Sequence, residues 1–195
     1  ERLDAYEAQV WLANIPFVRL RHHLPEKTLL HKAQFSEVVS LINQAGEKPS
    51  VIVDIKNRKL WMHKKLVDLK TPDFAFYLMF LCNLQGYIAP AKRNINRPLL
   101  EQKTPESDKL AEDFLVQRER LSSKMDTRTD HSLREGMFEQ YFSSRNSSVN
   151  KKIIETLGHR IAAPYLICQK GHQIVKGRNA GVYGLEVLAQ QIEIK

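Results

Sequence analysis

The residues best suited to chemistry lie late in the chain, where Arg145, Asn150, Lys151, Lys152, Arg160, Lys170, Lys176 and Arg178 fall within 34 positions that hold one acid, Glu155. That stretch carries +6 of a formal net charge of +8. A one-sided basic cluster is the electrostatic footprint of a polyanion-binding surface. The residue types fit such a task. An Asn amide pairs bidentately with adenine and a Lys ammonium reaches guanine acceptors, so Asn150 and Lys151, with Glu155 beside them, suit base edges. Arg145, Lys152 and Arg160 suit phosphates, and Lys170, Lys176 and Arg178 suit a loop lying along the backbone or minor groove. A solvated basic face without a ligand has the same composition, because surface Lys and Arg are common.

Other constellations are weaker. The histidines His22, His23, His31, His131, His159 and His172 do not fall at zinc-ligand spacings, so no metal site is expected. Asp126 to Asp130 (DTRTD) lacks the Gly and the distal Glu of a calcium loop. Gly177 to Gly184 sits between extended runs rather than before a helix, so it is no dinucleotide fingerprint. No Ser-His-Asp or Cys-His spacing stands out.

The elements that must position the basic residues are legible in part. Val149–Leu157 (VNKKIIETL) carries Val149, Ile153 and Leu157 at i, i+4 and i+8. It reads as a short helix capped by Ser147 or Ser148 after a polar turn at Ser143–Ser148, and ended by Gly158. Two extended runs follow, Tyr165–Cys168 and Val182–Val187, around a Gly-rich basic loop at Gly171–Gly181. Upstream, Val51–Leu69 reads as hairpin-linked strands. Thr71-Pro72-Asp73 and Thr104-Pro105-Glu106 each read as an N-cap, a first-turn Pro and an acid. The first opens a helix that is apolar almost all round to Leu84, and so is buried on most sides. The second opens a charged helix with a thin stripe of Leu110, Phe114, Leu115, Leu121 and Met125. Ser132-x-x-Glu135 reads as a capping box opening a helix through Phe142. Ile88–Lys103 is irregular. At the start, Val10–Leu20 reads as an edge strand interrupted by Pro16, and Gln34–Gln44 as an amphipathic helix.

With 195 residues, 43% of them apolar and 27% charged, the chain has the make-up of a globular protein of one domain or somewhat more. Collagen, mucin, wholesale disorder and a disulfide scaffold are excluded. No run of about 18 apolar residues is present, so no membrane partner is expected. Two cysteines without motif spacing, Cys82 and Cys168, read as reduced thiols of a cytoplasmic protein. A chain beginning at Glu1 with no signal-peptide pattern reads as a piece of a longer protein.

The order of strands, buried Thr-Pro helix, further helices, basic helix and basic hairpin resembles a winged helix-turn-helix, and most closely the DNA-binding domain of OmpR-like response regulators. Ile55–Phe80 follows that pattern, and Gly181–Leu185 (GVYGL) is similar to its wing strand. The resemblance implies a recognition helix at Ser148–Gly158 and a wing at Tyr165–Val187, with Tyr87–Tyr141 as an insertion. A second resemblance rests on Val10–Leu24, the Asp54–Tyr77 block, Ser148–Gly158, Pro164–Ile167 and Tyr183–Leu185. These are similar to the CRISPR-associated ring nuclease family of type III systems, CARF-domain proteins of antiviral defence akin to the Csm-type ribonucleases. It implies a C-terminal output region. The CARF domain, with its Gly-Gly-Arg-Lys signature, is not among these residues, so cyclic oligoadenylate would bind there and no cofactor is expected in this chain. HEPN-type ribonucleases of related proteins place Arg and, four to six residues on, His on one helix, the Arg to stabilise phosphoryl charge and the His to transfer protons. Arg58 and His63 have that spacing, but Lys59–Met62 between them reads as strand and turn.

The expectation is therefore an α+β fold. Residues 48–195 form a winged-helix core with an insertion at about 87–141, and residues 1–47 form an N-terminal strand–helix segment linking to a CARF domain. The expected function is a regulatory output module that binds DNA or RNA. The alternative is a region that supports or dimerises a ring nuclease or ribonuclease, and a pure interaction module is a third reading.

Overall fold

In a computed structural model, which describes residues 48–92, 104–121 and 132–195, the β-branched run at Val51 opens strand β1 (Val51–Asp54) with Val51 and Val53 buried on one face. The Asp54 carboxylate accepts hydrogen bonds from the Asn57 backbone N–H (2.8 Å) and side-chain amide (2.7 Å). These bonds close the turn and hold the Asp54 carboxyl below its usual range. Strand β2 (Lys59–Met62) returns antiparallel, and β3 (Lys65–Val67) follows after a two-residue turn. Both turn residues, His63 and Lys64, have positive φ, as a tight hairpin of this hand requires.

Helix α1 (Thr71–Cys82) is buried without a break from Asp73 to Leu81. Its sequence has no polar face, so it is stable only when enclosed on most sides. The expected Thr71 cap is not there. Lys70 holds the cap position and no side chain closes the first turn, because Thr71 is already helical. Strand β4 (Tyr87–Ile88) follows at once. Helix α2 (Pro105–Leu121) starts as the sequence predicts: the Thr104 hydroxyl accepts from Ser107 N–H (3.2 Å), and Glu106 and Asp108 sit at the positive end of the dipole.

Two readings are overturned between α2 and the C-terminal hairpin. The capping-box segment makes only a helical turn at 132–134. It stops where Gly136 turns to φ 105° and Met137 N–H bonds Ser107 O. The helix then starts afresh as α3 (Glu139–Leu157), and it runs straight through the polar turn expected at Ser143–Ser148. Phe142, Val149, Ile153 and Leu157 make one buried stripe, and Ser or Asn without Gly or Pro does not stop a helix whose flank is packed.

A short α4 (His159–Ala162) and a 3-10 turn (Ala163–Tyr165) lead to β5 (Cys168–Val175) and β6 (Arg178–Gly184). The expected loop at Gly171–Gly181 is therefore mostly strand. Only Lys176 and Gly177 turn, both at positive φ, and cross-strand bonding orders the rest. Strand β7 (Ile192–Ile194) lies parallel to β1.

The fold is α+β. One sheet has the order β3-β2-β1-β7 and the other β4-β6-β5, and the helices pack with both. Parts of the stretch read as an insertion belong to the core, since β4 pairs with β6 and α2 packs on α1. An edge-to-face aromatic chain ties the layers together: Phe80 meets Tyr87 (5.2 Å) and Phe76 (5.4 Å), Phe76 meets Phe142 (5.5 Å), and Phe142 meets Tyr183 (5.2 Å). The strand expected at Val10–Leu20, the helix at Gln34–Gln44, Met125, Asp126–Asp130, and His22, His23, His31 and His131 lie outside the described residues.

Candidate nucleic-acid interface

Two hydrogen-bonded clamps fix α3. The first is at Asp73, in the first turn of α1. Its carboxylate is 6% exposed and takes Arg145 Nη1 on one oxygen (2.8 Å) and Ser148 Oγ on the other (2.8 Å). A carboxylate this buried needs both partners. The second clamp is Asn150. Its amide nitrogen donates to Ile167 O (2.9 Å) and its amide oxygen accepts from Ile167 N–H (3.0 Å). This is a strand-like pairing between one side chain and the peptide just before β5. It fixes the base of the β5–β6 hairpin to the middle of α3. Below, the Tyr77 hydroxyl donates to Tyr165 O (3.0 Å) and the Tyr165 hydroxyl accepts from Ser50 N–H (2.8 Å). Burial pushes both phenols above their usual range.

These clamps reassign two of the sequence-predicted site residues. Arg145 is 26% exposed, is held by Asp73 and lies over the Tyr141 ring, so its charge is spent inside the protein. Asn150 has both ends of its amide engaged and offers no base edge a contact. Both are positioning residues. Sequence reasoning missed Asp73, whose first-turn position explains an acid by the helix dipole alone; nothing in the spacing points to a partner 72 residues away.

The other cations face outward. Lys151 is 79% exposed and reaches Glu155 at 3.9 Å, a loose i, i+4 pair. Lys152 lies beside it, and with Lys70, Ser148 and Glu155 both line a shallow groove of about 290 Å³ between α1 and α3. Arg160 is exposed on α4. On the hairpin, Lys176 occupies the turn, Arg178 Nη2 donates to Ala89 O (3.2 Å), and Lys170 pairs with Glu186 (3.0 Å). No Asp or Glu occurs from residue 156 to residue 185, so α4 and the hairpin carry no acid of their own.

Arg58 and His63 do not converge. Arg58 is exposed in the β1–β2 turn and His63 is buried in the β2–β3 turn, with the whole of β2 between them. The four residues of β2 lie between them, so they sit at opposite ends of a strand roughly 13 Å long. The strand reading of Lys59–Met62 holds, and the helical face that the Arg–His pair needs is missing. Among the described residues there is no group of three or more His, Cys, Asp or Glu placed to hold a metal ion, and no helix long and apolar enough to cross a membrane.

Comparison with family models, curated proteins and solved structures found no match. The functional reading therefore rests on the geometry of α3 and the hairpin and on the physics of their charge.

Proposed function

We propose that this chain binds nucleic acid through the outer face of α3 and the β5–β6 hairpin, in the manner of a winged helix, as the output region of a CRISPR-associated CARF-family protein. The order of β4, α2, α3 and hairpin after a buried α1 supports the winged-helix reading. One observation carries the function: the Asn150–Ile167 pairing makes the Lys151–Lys152 face and an acid-free hairpin a single rigid unit. Fixed donors on a rigid frame lose little conformational freedom on binding a regular polyanion. Lys151, Lys152, Arg160, Lys176 and Arg178 are the phosphate contacts in this reading, and cyclic oligoadenylate is sensed by a CARF domain outside this chain.

The test is a titration of the protein with labelled duplex DNA, single-stranded DNA and RNA at two salt concentrations. Binding that weakens steeply with salt, and weakens again in a Lys151→Ala/Lys152→Ala variant, is the expected result. Absence of binding to all three probes at low salt refutes it.

A further inference from the structure

The first sheet has two faces, and the core uses one of them. Val51, Val53, Leu60, Met62 and Val67 point inward and are at most 2% exposed. The register puts Ile52, Trp61 and Leu66 side by side on the other face, one on each of β1, β2 and β3. Leu66 is 50% exposed, and Ile52 and Trp61 are only partly buried. Among the described residues, none of the three belongs to the buried core or packs against it. Asp54 and Lys59 lie opposite each other further along the same face, and Glu193 lies beside Ile52, so the apolar row has a charged rim. A Trp in a cross-strand row with two aliphatic side chains, rimmed by charge, is a docking surface rather than a scatter of single exposed residues.

Size selects the occupant. The row spans two strand spacings, about 10 Å, which is the width of one helix. Three side chains, two of them already partly covered, fall well short of the roughly 800 Å² per partner that a stable complex of separate chains buries. A contact this small holds a segment that is tethered beside it, because a short link raises the effective concentration to the millimolar range. The chain supplies such a segment. Gln34–Gln44, outside the described residues, has Phe35, Val38, Val39 and Ile42 at i, i+3, i+4 and i+7. Eleven residues are too few for a stable helix in water, so this apolar stripe needs a surface to pack on. Six residues, 45–50, join it to β1 and reach at most about 20 Å, twice the roughly 10 Å between packed layers. The end of that link is fixed: Ser50 N–H donates to the Tyr165 hydroxyl (2.8 Å) and Ser50 O accepts from His63 N–H (2.9 Å).

We propose that Gln34–Gln44 docks as an amphipathic helix on the outer face of the first sheet, with its apolar stripe across Ile52, Trp61 and Leu66. Residues 1–47 are then joined to the body through this sheet. The proposal is independent of the nucleic-acid reading, which uses α3 and the β5–β6 hairpin.

Trp61 is the reporter. The chain's other Trp, Trp11, is replaced by Phe, and emission and acrylamide quenching are measured for this parent protein and for three variants built on it. Val38→Glu/Ile42→Glu breaks the stripe, Ser40→Glu lies off it, and Leu66→Glu charges the sheet face. The expected result is blue-shifted, weakly quenched emission in the parent and in Ser40→Glu. Val38→Glu/Ile42→Glu and Leu66→Glu should both shift to the red and be quenched severalfold more strongly. Leu66 lies outside the core, so each variant should keep a cooperative urea transition. Parent emission as red and as quenchable as in urea overturns the proposal. Shielding that survives Val38→Glu/Ile42→Glu overturns it too, because another segment then covers Trp61. Shielding that fades on dilution, with a dimer in light scattering, assigns the face to a second copy and overturns it as well. None of these outcomes touches the nucleic-acid reading, whose own titration decides it.

Discussion

Replacing Lys151 and Lys152 by Ala separates a direct phosphate contact from an indirect effect. In wild type, the outward cations available to phosphate are Lys151, Lys152, Arg160, Lys176 and Arg178, because Arg145 is committed to Asp73 and Lys170 to Glu186. Each phosphate neutralised contributes about −0.9 to the slope of log affinity against log salt, so under the proposed function five such contacts should give the wild type a slope of about −4.5 on B-DNA. Between about 50 and 200 mM salt the affinity then falls by roughly 500-fold. Removing the two lysines brings the slope to about −2.7 and the fall to roughly 40-fold. The fold is not at stake. Lys151 loses only a 3.9 Å pair with Glu155, worth a few tenths of a kcal/mol (about 0.3) on an exposed helix face. Fluorescence anisotropy of a labelled duplex at four salt concentrations gives both slopes. Arg145→Ala is the internal contrast, because it should lower stability while leaving the slope nearly unchanged. An unchanged slope in the double variant, or a slope loss in Arg145→Ala as large as that of one lysine, would refute the assignment.

Asn150→Ala removes both bonds to Ile167 and leaves a buried peptide unpaired, so unfolding in urea should show a loss of about 1–3 kcal/mol. Its affinity for duplex should drop while its salt slope stays that of wild type; a lower slope would mean that Asn150 touches the ligand. Asp73→Ala strands Arg145 and Ser148 and should cost about 2–3 kcal/mol, with less than about 0.5 counting against the clamp. Gly86 has φ 85°, and a Cβ there would lie 2.1 Å from Tyr183 O, so Gly86→Ala should destabilise by about 3 kcal/mol or more and lower the melting temperature accordingly. Tyr77, Tyr87 and Tyr165 all have raised pKa values, by burial first and, for Tyr87, also by the carboxylate of Asp113. Their contribution is complete below the unfolded value of about 10 and is lost as pH climbs from there through the raised folded values, so denaturant midpoints should hold flat to about pH 9 and then fall. A midpoint that stays level to pH 12 would show that these phenols ionise without resistance.

Local signals carried the sequence reading where the chain's own neighbours decide the conformation. The Thr104-Pro105-Glu106 start of α2, the unbroken apolar run of α1 and the strand–turn–strand rhythm from Val51 to Val67 each depend on residues a few positions apart. The errors came where distant partners decide. Ser143–Ser148 looks like a turn because Ser and Asn compete for backbone bonds. In the folded chain Ser148 and Arg145 are taken by Asp73, and the helix continues. Gly171–Gly181 looks like a loop because glycine and polar residues prefer loops, but the bonds between β5 and β6 outweigh that preference. The candidate site was legible as charge and not as geometry. Lys151, Lys152, Arg160 and Lys176 do face outward, whereas the inward use of Asn150 and Arg145 follows from contacts no spacing rule contains.

The parallel pairing of β1 with β7 has a consequence for the birth of the protein. Val51 lies opposite Ile192, so one flank of β1 waits for a partner made about 140 residues later. At ribosomal rates of about 5–20 residues per second, that flank stays unpaired for roughly 7–30 s of synthesis. Throughout that time the nascent chain offers a bare row of amides and carbonyls beside Val51 and Val53, a template for any extended segment that passes. A chaperone that shields this edge, or a neighbouring chain that seizes it, competes with β7 for the same bonds. The yield of folded protein should therefore depend on how quickly synthesis reaches β7, and not only on the equilibrium stability of the finished sheet.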